Sequence, residues 1–134
     1  MKASRKAGKG AAGEAGTSAN AAQLFEILWR TVADMLGTAA TAALMRRAAQ
    51  SASSEGESGL QGLLIRREDL VYRYEVPASW RNGGDPCGQQ AMRALSRELQ
   101  PLLRELTGPV VLRRLDRLEV FRRCGIRFGE EPGR

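Results

Sequence analysis

The sequence predicts an α+β domain, mostly helical, with four main helices and one central antiparallel β-hairpin. Three observations predict it. Apolar residues recur at helical spacing over four stretches, apolar and polar residues alternate strictly in one place, and glycine, proline or polar clusters separate these segments. At 134 residues the chain suits a single domain. That length can bury a core without disulfide or metal support.

Residues 1–19, MKASRKAGKGAAGEAGTSA, have no periodic apolar pattern. Such a stretch cannot bury enough surface to offset its ordering entropy, so it is expected to be a disordered basic tail rich in glycine and alanine. Gly8-Lys9-Gly10-Ala11-Ala12-Gly13 has the spelling of a dinucleotide-binding loop, but no strand precedes it. A phosphate-binding loop fails as well, because Glu14 stands where its lysine belongs.

The first helix is expected over Ala21–Leu36. Asn20 is a good N-cap and Gln23 sits at the capping-box position. Leu24, Phe25, Ile27, Leu28, Val32, Met35 and Leu36 form a wide apolar stripe, with Trp29 near its edge, and Gly37 supplies a stop. Thr38 is then expected to cap a second helix, Ala39–Gln50, whose many alanines allow close packing through Leu44, Met45 and Ala48. Residues 51–59, SASSEGESG, read as a polar linker.

The β signal follows. Gly62–Arg66 and Leu70–Val76 are expected strands around a turn at Arg67-Glu68-Asp69. Leu70, Tyr72, Tyr74 and Val76 share one face of the second strand, and Val71, Arg73 and Glu75 the other. A lone hairpin is marginal in water, so it must pack on the helices or pair with another copy.

After a loop holding Trp80, Asp85-Pro86 reads as an N-cap followed by a first-turn proline. The third helix carries Met92, Leu95, Leu99, Leu102, Leu103 and Leu106, with Pro101 expected to kink or divide it. Thr107-Gly108-Pro109 punctuates. The fourth helix turns Val111, Leu112, Leu115, Leu118 and Phe121 inward and Arg113, Arg114, Arg117, Arg122 and Arg123 mostly outward. The domain is therefore expected over 20–123, with 124–134 a flexible C-terminal tail.

Composition excludes much chemistry. The chain has no histidine. Serine–histidine and cysteine–histidine nucleophile systems cannot be written in one such chain, nor can histidine-ligated zinc sites. No catalytic residue, metal ligand or cofactor is expected, and an enzyme is the less favoured reading. Cys87 is the candidate reactive or redox thiol, because the first turn of a helix favours a thiolate. The alternative is a small apolar side chain.

The net charge is +6, and residues 1–20 supply about half of it through Lys2, Arg5, Lys6 and Lys9 against Glu14. Arg66, Arg73, Arg113, Arg114 and Arg117 are the candidate anion-binding set, since arginine suits bidentate phosphate recognition. Tyr72, Tyr74 and Trp80 are the candidate pocket residues. Acidic residues are mixed among the arginines, and no nucleic-acid-binding spelling is present, so a protein partner or a second copy is expected ahead of nucleic acid. The basic N-terminus lacks the apolar stretch of a signal peptide, and no segment has the length of a membrane span. A soluble, cytoplasmic protein is the expectation.

The leading functional expectation is a non-enzymatic interaction or regulatory module acting through protein–protein contact, as a homodimer. An anion or nucleic-acid binder using the arginine helix and basic tail is the alternative. A small-ligand sensor or redox-active protein using Cys87 is the third.

Overall fold

A computed structural model of the chain describes residues 19–57, 59–81 and 86–128, those of 86 and 87 without their side chains. Helix α1 spans Ala21–Leu36 and starts as its residues dictate. The Gln23 N–H donates to Asn20 Oδ1 at 2.8 Å, and the Asn20 N–H donates to Gln23 Oε1 at 2.9 Å. Two otherwise orphaned donors are thereby satisfied. The Asn20 side-chain amide also donates to the Arg81 carbonyl, fixing the helix start to a distant turn. Leu24, Phe25, Leu28, Trp29 and Val32 are buried along one face. Gly37, at φ 86°, reverses the chain in a conformation that disfavours other residues.

Helix α2 spans Thr38–Ser54, longer than expected at both ends. Thr38 is its first residue rather than its cap, and its hydroxyl oxygen accepts from the Tyr72 N–H. At the far end Ala52 is buried and the Ser51 hydroxyl donates to Glu98, so packing carries the helix four residues into the expected linker. Thr41, Ala42, Leu44, Met45 and Ala48 are its other buried residues.

Strands β1 (Leu64–Glu68) and β2 (Val71–Glu75) pair antiparallel, from Leu64 opposite Glu75 to Glu68 opposite Val71. The turn is Asp69-Leu70, not Arg67-Glu68-Asp69, because Arg67 pairs with Tyr72 and Glu68 with Val71, two more rungs of the ladder. Asp69 adopts a left-handed φ of 57°, which aspartate tolerates better than most residues. Leu70 consequently sits at the hairpin tip, 86% exposed, and not on the face of Tyr72 and Tyr74.

A 3₁₀ turn over Ala78–Arg81 buries Trp80. Helix α3 runs from Pro86 to Thr107 and continues undivided through the exposed Pro101. Gly108 then separates it from α4, Pro109–Asp116. The expected fourth helix is in fact two. After Arg117 the chain extends at Leu118 (ψ 113°), and α5 covers Glu119–Arg123. Apolar spacing continues across the break, which conceals it in the sequence.

The domain does not end at Arg123. Cys124, Ile126 and Phe128 are buried, and the Phe128 ring meets Phe121 edge-on at 5.2 Å. The core joins α1, α2, α3, α4 and this C-terminal segment in one cluster. The hairpin packs on α2, whereas α4 packs on α1, α3 and α5. Among the described residues no helix is long and apolar enough to cross a membrane. The expected N-terminal tail up to residue 18, Asp85 and residues 129–134 lie outside the described residues.

Candidate functional site

Because side chains alternate along a strand, the register of the hairpin sorts its residues into two faces. Ile65, Tyr72 and Tyr74 turn inward and are half-buried against the helices. Leu64, Arg66, Glu68, Val71, Arg73 and Glu75 turn outward and are exposed.

On the inner side Tyr74 joins an aromatic cluster. Its ring meets Phe25 edge-on at 4.7 Å and Trp29 at 5.0 Å. Burial, reinforced by the nearby Glu26 carboxylate and opposed by Arg30, raises the Tyr74 phenol above its ordinary pKa of 10.0. It is therefore neutral through the physiological range. Tyr72 and Tyr74 line an open groove of about 480 Å³ with Trp29, Thr38, Val71 and Arg73. Trp80 is not part of it. That indole is buried, donates to the Gly59 carbonyl at 3.2 Å and lies tilted against Phe25, with ring centres 6.1 Å apart.

Both hairpin edges meet side chains from α2. On the β2 edge Thr38 accepts from the Tyr72 N–H. On the β1 edge an Arg46 Nη donates to the Ile65 carbonyl at 2.8 Å, while its guanidinium lies 5.8 Å from the centre of the Tyr72 ring. Covering an edge in this way discourages addition of a further strand. One charged hydrogen bond and one exposed cation–π contact make Arg46→Ala cost about 1–2 kcal/mol. Urea denaturation of the variant measures that loss, and amide exchange should rise in the hairpin before it rises in α1.

The outer face is a charge network rimmed by aliphatic residues. Arg66 pairs with Glu75 at 2.7 Å and lies 3.7 Å from Glu68, and Arg73 pairs with Glu68 at 2.8 Å. All four side chains are half or more exposed, or nearly so, and such pairs stabilise little by themselves. Leu64, Leu70 and Val71 flank them with exposures of 53%, 86% and 44%. They are three of the five large exposed hydrophobic side chains among the described residues, which makes the hairpin the main apolar surface of the domain.

The candidate anion set is divided by this architecture. Arg66 and Arg73 belong to the hairpin network, whereas Arg113 and Arg114 lie on α4 and Arg117 at its end. The structure does not bring the two groups into one site. Cys87 is the second residue of α3, and its side chain lies outside the described residues. Cys124 is 8% exposed and follows α5, where it packs as a small apolar residue.

A second basic concentration was not visible from sequence. Arg93, Ser96, Arg97 and Gln100 share one face of α3, and with Gly125, Ile126 and Arg127 they line a cleft of about 210 Å³. The spacing i, i+3, i+4, i+7 is a legible signal on the helix side. The opposite wall belongs to a segment expected to be a tail, so the pair of walls could not be read.

Compared with protein-family models, with curated proteins and with solved structures, the chain matches none. The functional reading rests on these surfaces.

Proposed function

We propose that this chain is a non-enzymatic interaction module that pairs with a second copy of itself through the outer face and tip of its β-hairpin. The observation that carries the reading is the exposure of Leu64, Leu70 and Val71 around an outward face holding two arginines and two glutamates. The wide apolar stripe of α1 needs no second copy to cover it, because Leu24, Phe25, Leu28 and Val32 are fully buried within one chain. The pressure to associate therefore belongs to the hairpin.

The charge pattern favours a second copy over a partner of one sign. Arg66 and Arg73 balance Glu68 and Glu75, so a two-fold related face offers each arginine a glutamate across the interface. The capped strand edges favour contact through the face and tip over strand addition. Burial of three aliphatic side chains supplies the driving force, with the charges setting orientation.

Sedimentation velocity over micromolar concentrations tests the reading. Wild-type protein is expected to show a monomer–dimer equilibrium. The double variant Leu70→Asp, Val71→Asp should raise the dimer Kd about tenfold or more, because it buries carboxylates at the interface. Its thermal midpoint should stay close to that of wild type, since exposed positions contribute little to monomer stability. A wild-type protein that remains monomeric, or a double variant that dimerises equally well, contradicts the proposal.

A further inference from the structure

The cleft between α3 and the segment 124–127 lies apart from the hairpin and has a different chemistry. Its helix wall is Arg93, Ser96, Arg97 and Gln100, and its other wall is Gly125, Ile126 and Arg127. No acidic residue lines it. We propose that this cleft binds the phosphoryl group of a small molecule, as the free ion or as a phosphate monoester.

Each arginine is held or left free in a way that suits this. Arg93 donates through Nε and one Nη to the Cys124 carbonyl, at 3.3 and 3.2 Å, which fixes its guanidinium plane at the cleft wall. Gly125, at φ 77°, turns the chain beside it, and a Cβ there would stand 3.5 Å from Arg93 Nε. Arg127 is held by Asp116, whose Oδ1 lies 3.4 Å from its Nε. Asp116 offsets part of the charge but is not in the lining. Arg97 makes no hydrogen bond or ion pair among the described residues, and it stands between this cleft and a neighbouring one lined by Glu55, Glu57 and Glu98. Gln100 donates to the Arg127 carbonyl at 2.6 Å and joins the two walls.

Ser96 supplies the independent observation. It is 2% exposed, and its hydroxyl is the one buried side-chain polar atom without a partner among the described residues. A buried hydroxyl is usually paired, and this one lies in the lining of a basic cleft. Its oxygen is closed to solvent, so an oxyanion in the cleft becomes its acceptor only through a small local opening of the lining. Arginines on both walls of the cleft suit a tetrahedral phosphoryl group better than a planar carboxylate, which a single arginine fork satisfies. A volume of about 210 Å³ is below the several hundred Å³ of sites that enclose whole cofactors, so one charged group with a short appendage fits.

Amide chemical-shift titration of the full chain with inorganic phosphate and, separately, with glycerol phosphate tests the proposal, with acetate as the planar control. Saturable shifts are expected at Ser96, Gly125 and Arg127 with at least one phosphate probe, and the tighter probe tells free ion from monoester. Arg97→Gln should weaken binding about tenfold or more, whereas the charge-matched Arg113→Gln should leave it within about twofold. Ser96→Ala keeps the cationic side chains and should weaken binding without lowering the thermal midpoint. No saturation with either phosphate probe, equal losses in Arg97→Gln and Arg113→Gln, or acetate binding as tightly as phosphate would overturn the proposal.

Discussion

Replacing Phe25 by alanine is expected to destabilise the protein by about 3–5 kcal/mol, the range for deleting a fully buried aromatic ring. Phe25 is fully buried on α1, and its ring lies 4.7 Å from Tyr74 and 6.1 Å from both Trp29 and Trp80. It is the point where helix α1, the hairpin and the 3₁₀ turn meet. Its removal therefore opens a cavity shared by three elements that cannot collapse together. Against a total stability of about 5–15 kcal/mol, that loss is a large fraction. Urea denaturation gives the magnitude, and near-ultraviolet circular dichroism should show Trp29, Trp80 and Tyr74 losing their fixed surroundings. A cost below about 1 kcal/mol would mean the aromatic cluster does not hold the hairpin to the helices.

Phe128→Ala is expected to cost about the same, 3–5 kcal/mol, although Phe128 lies beyond the last helix. Its side chain is fully buried against Phe121, and its N–H donates to Asp116 Oδ1 at 3.2 Å. Ile126, 2% exposed, belongs to the same core cluster. Phe128→Leu keeps most of the volume and should cost less than about 1.5 kcal/mol. The comparison of the two variants by thermal and urea unfolding separates a packed segment from a loose one. If Phe128→Ala proves neutral, residues 124–128 are not part of the core.

Where single local signals decide structure, the sequence is easy to read. Asn20 and Gln23 announce the start of α1, and the capping box they predict is formed. The stripe from Leu24 to Val32 is buried as its period requires. Other features depend on contacts that no local pattern records. Glu68 suits a turn and a strand equally, and its pairing with Val71 settles it as strand, which moves Leu70 to the tip. Leu115, Leu118 and Phe121 keep helical spacing across an extended residue, so the break between α4 and α5 is invisible in periodicity. Ile126 and Phe128 are two apolar residues among charges, and only the pocket they fill makes them core.

The functional surfaces divide in the same way. The outward set Val71, Arg73 and Glu75 follows from strand alternation alone. The pairing of those charges with Arg66 and Glu68 needs the register. Arginines 93, 97 and 127 are unremarkable singly, and the cleft they line exists because the C-terminal segment returns to α3.

If two copies meet through the hairpin, as proposed, its exposed methyl groups must approach those of the partner. The most direct measurement is an isotope-filtered nuclear Overhauser experiment on a mixture of labelled and unlabelled protein. Intermolecular contacts are predicted for the methyl groups of Leu64, Leu70 and Val71. Contacts confined to other surfaces, such as the exposed Leu106 at the end of α3 and Val110 at the start of α4, or no intermolecular contacts at all, would contradict the proposal.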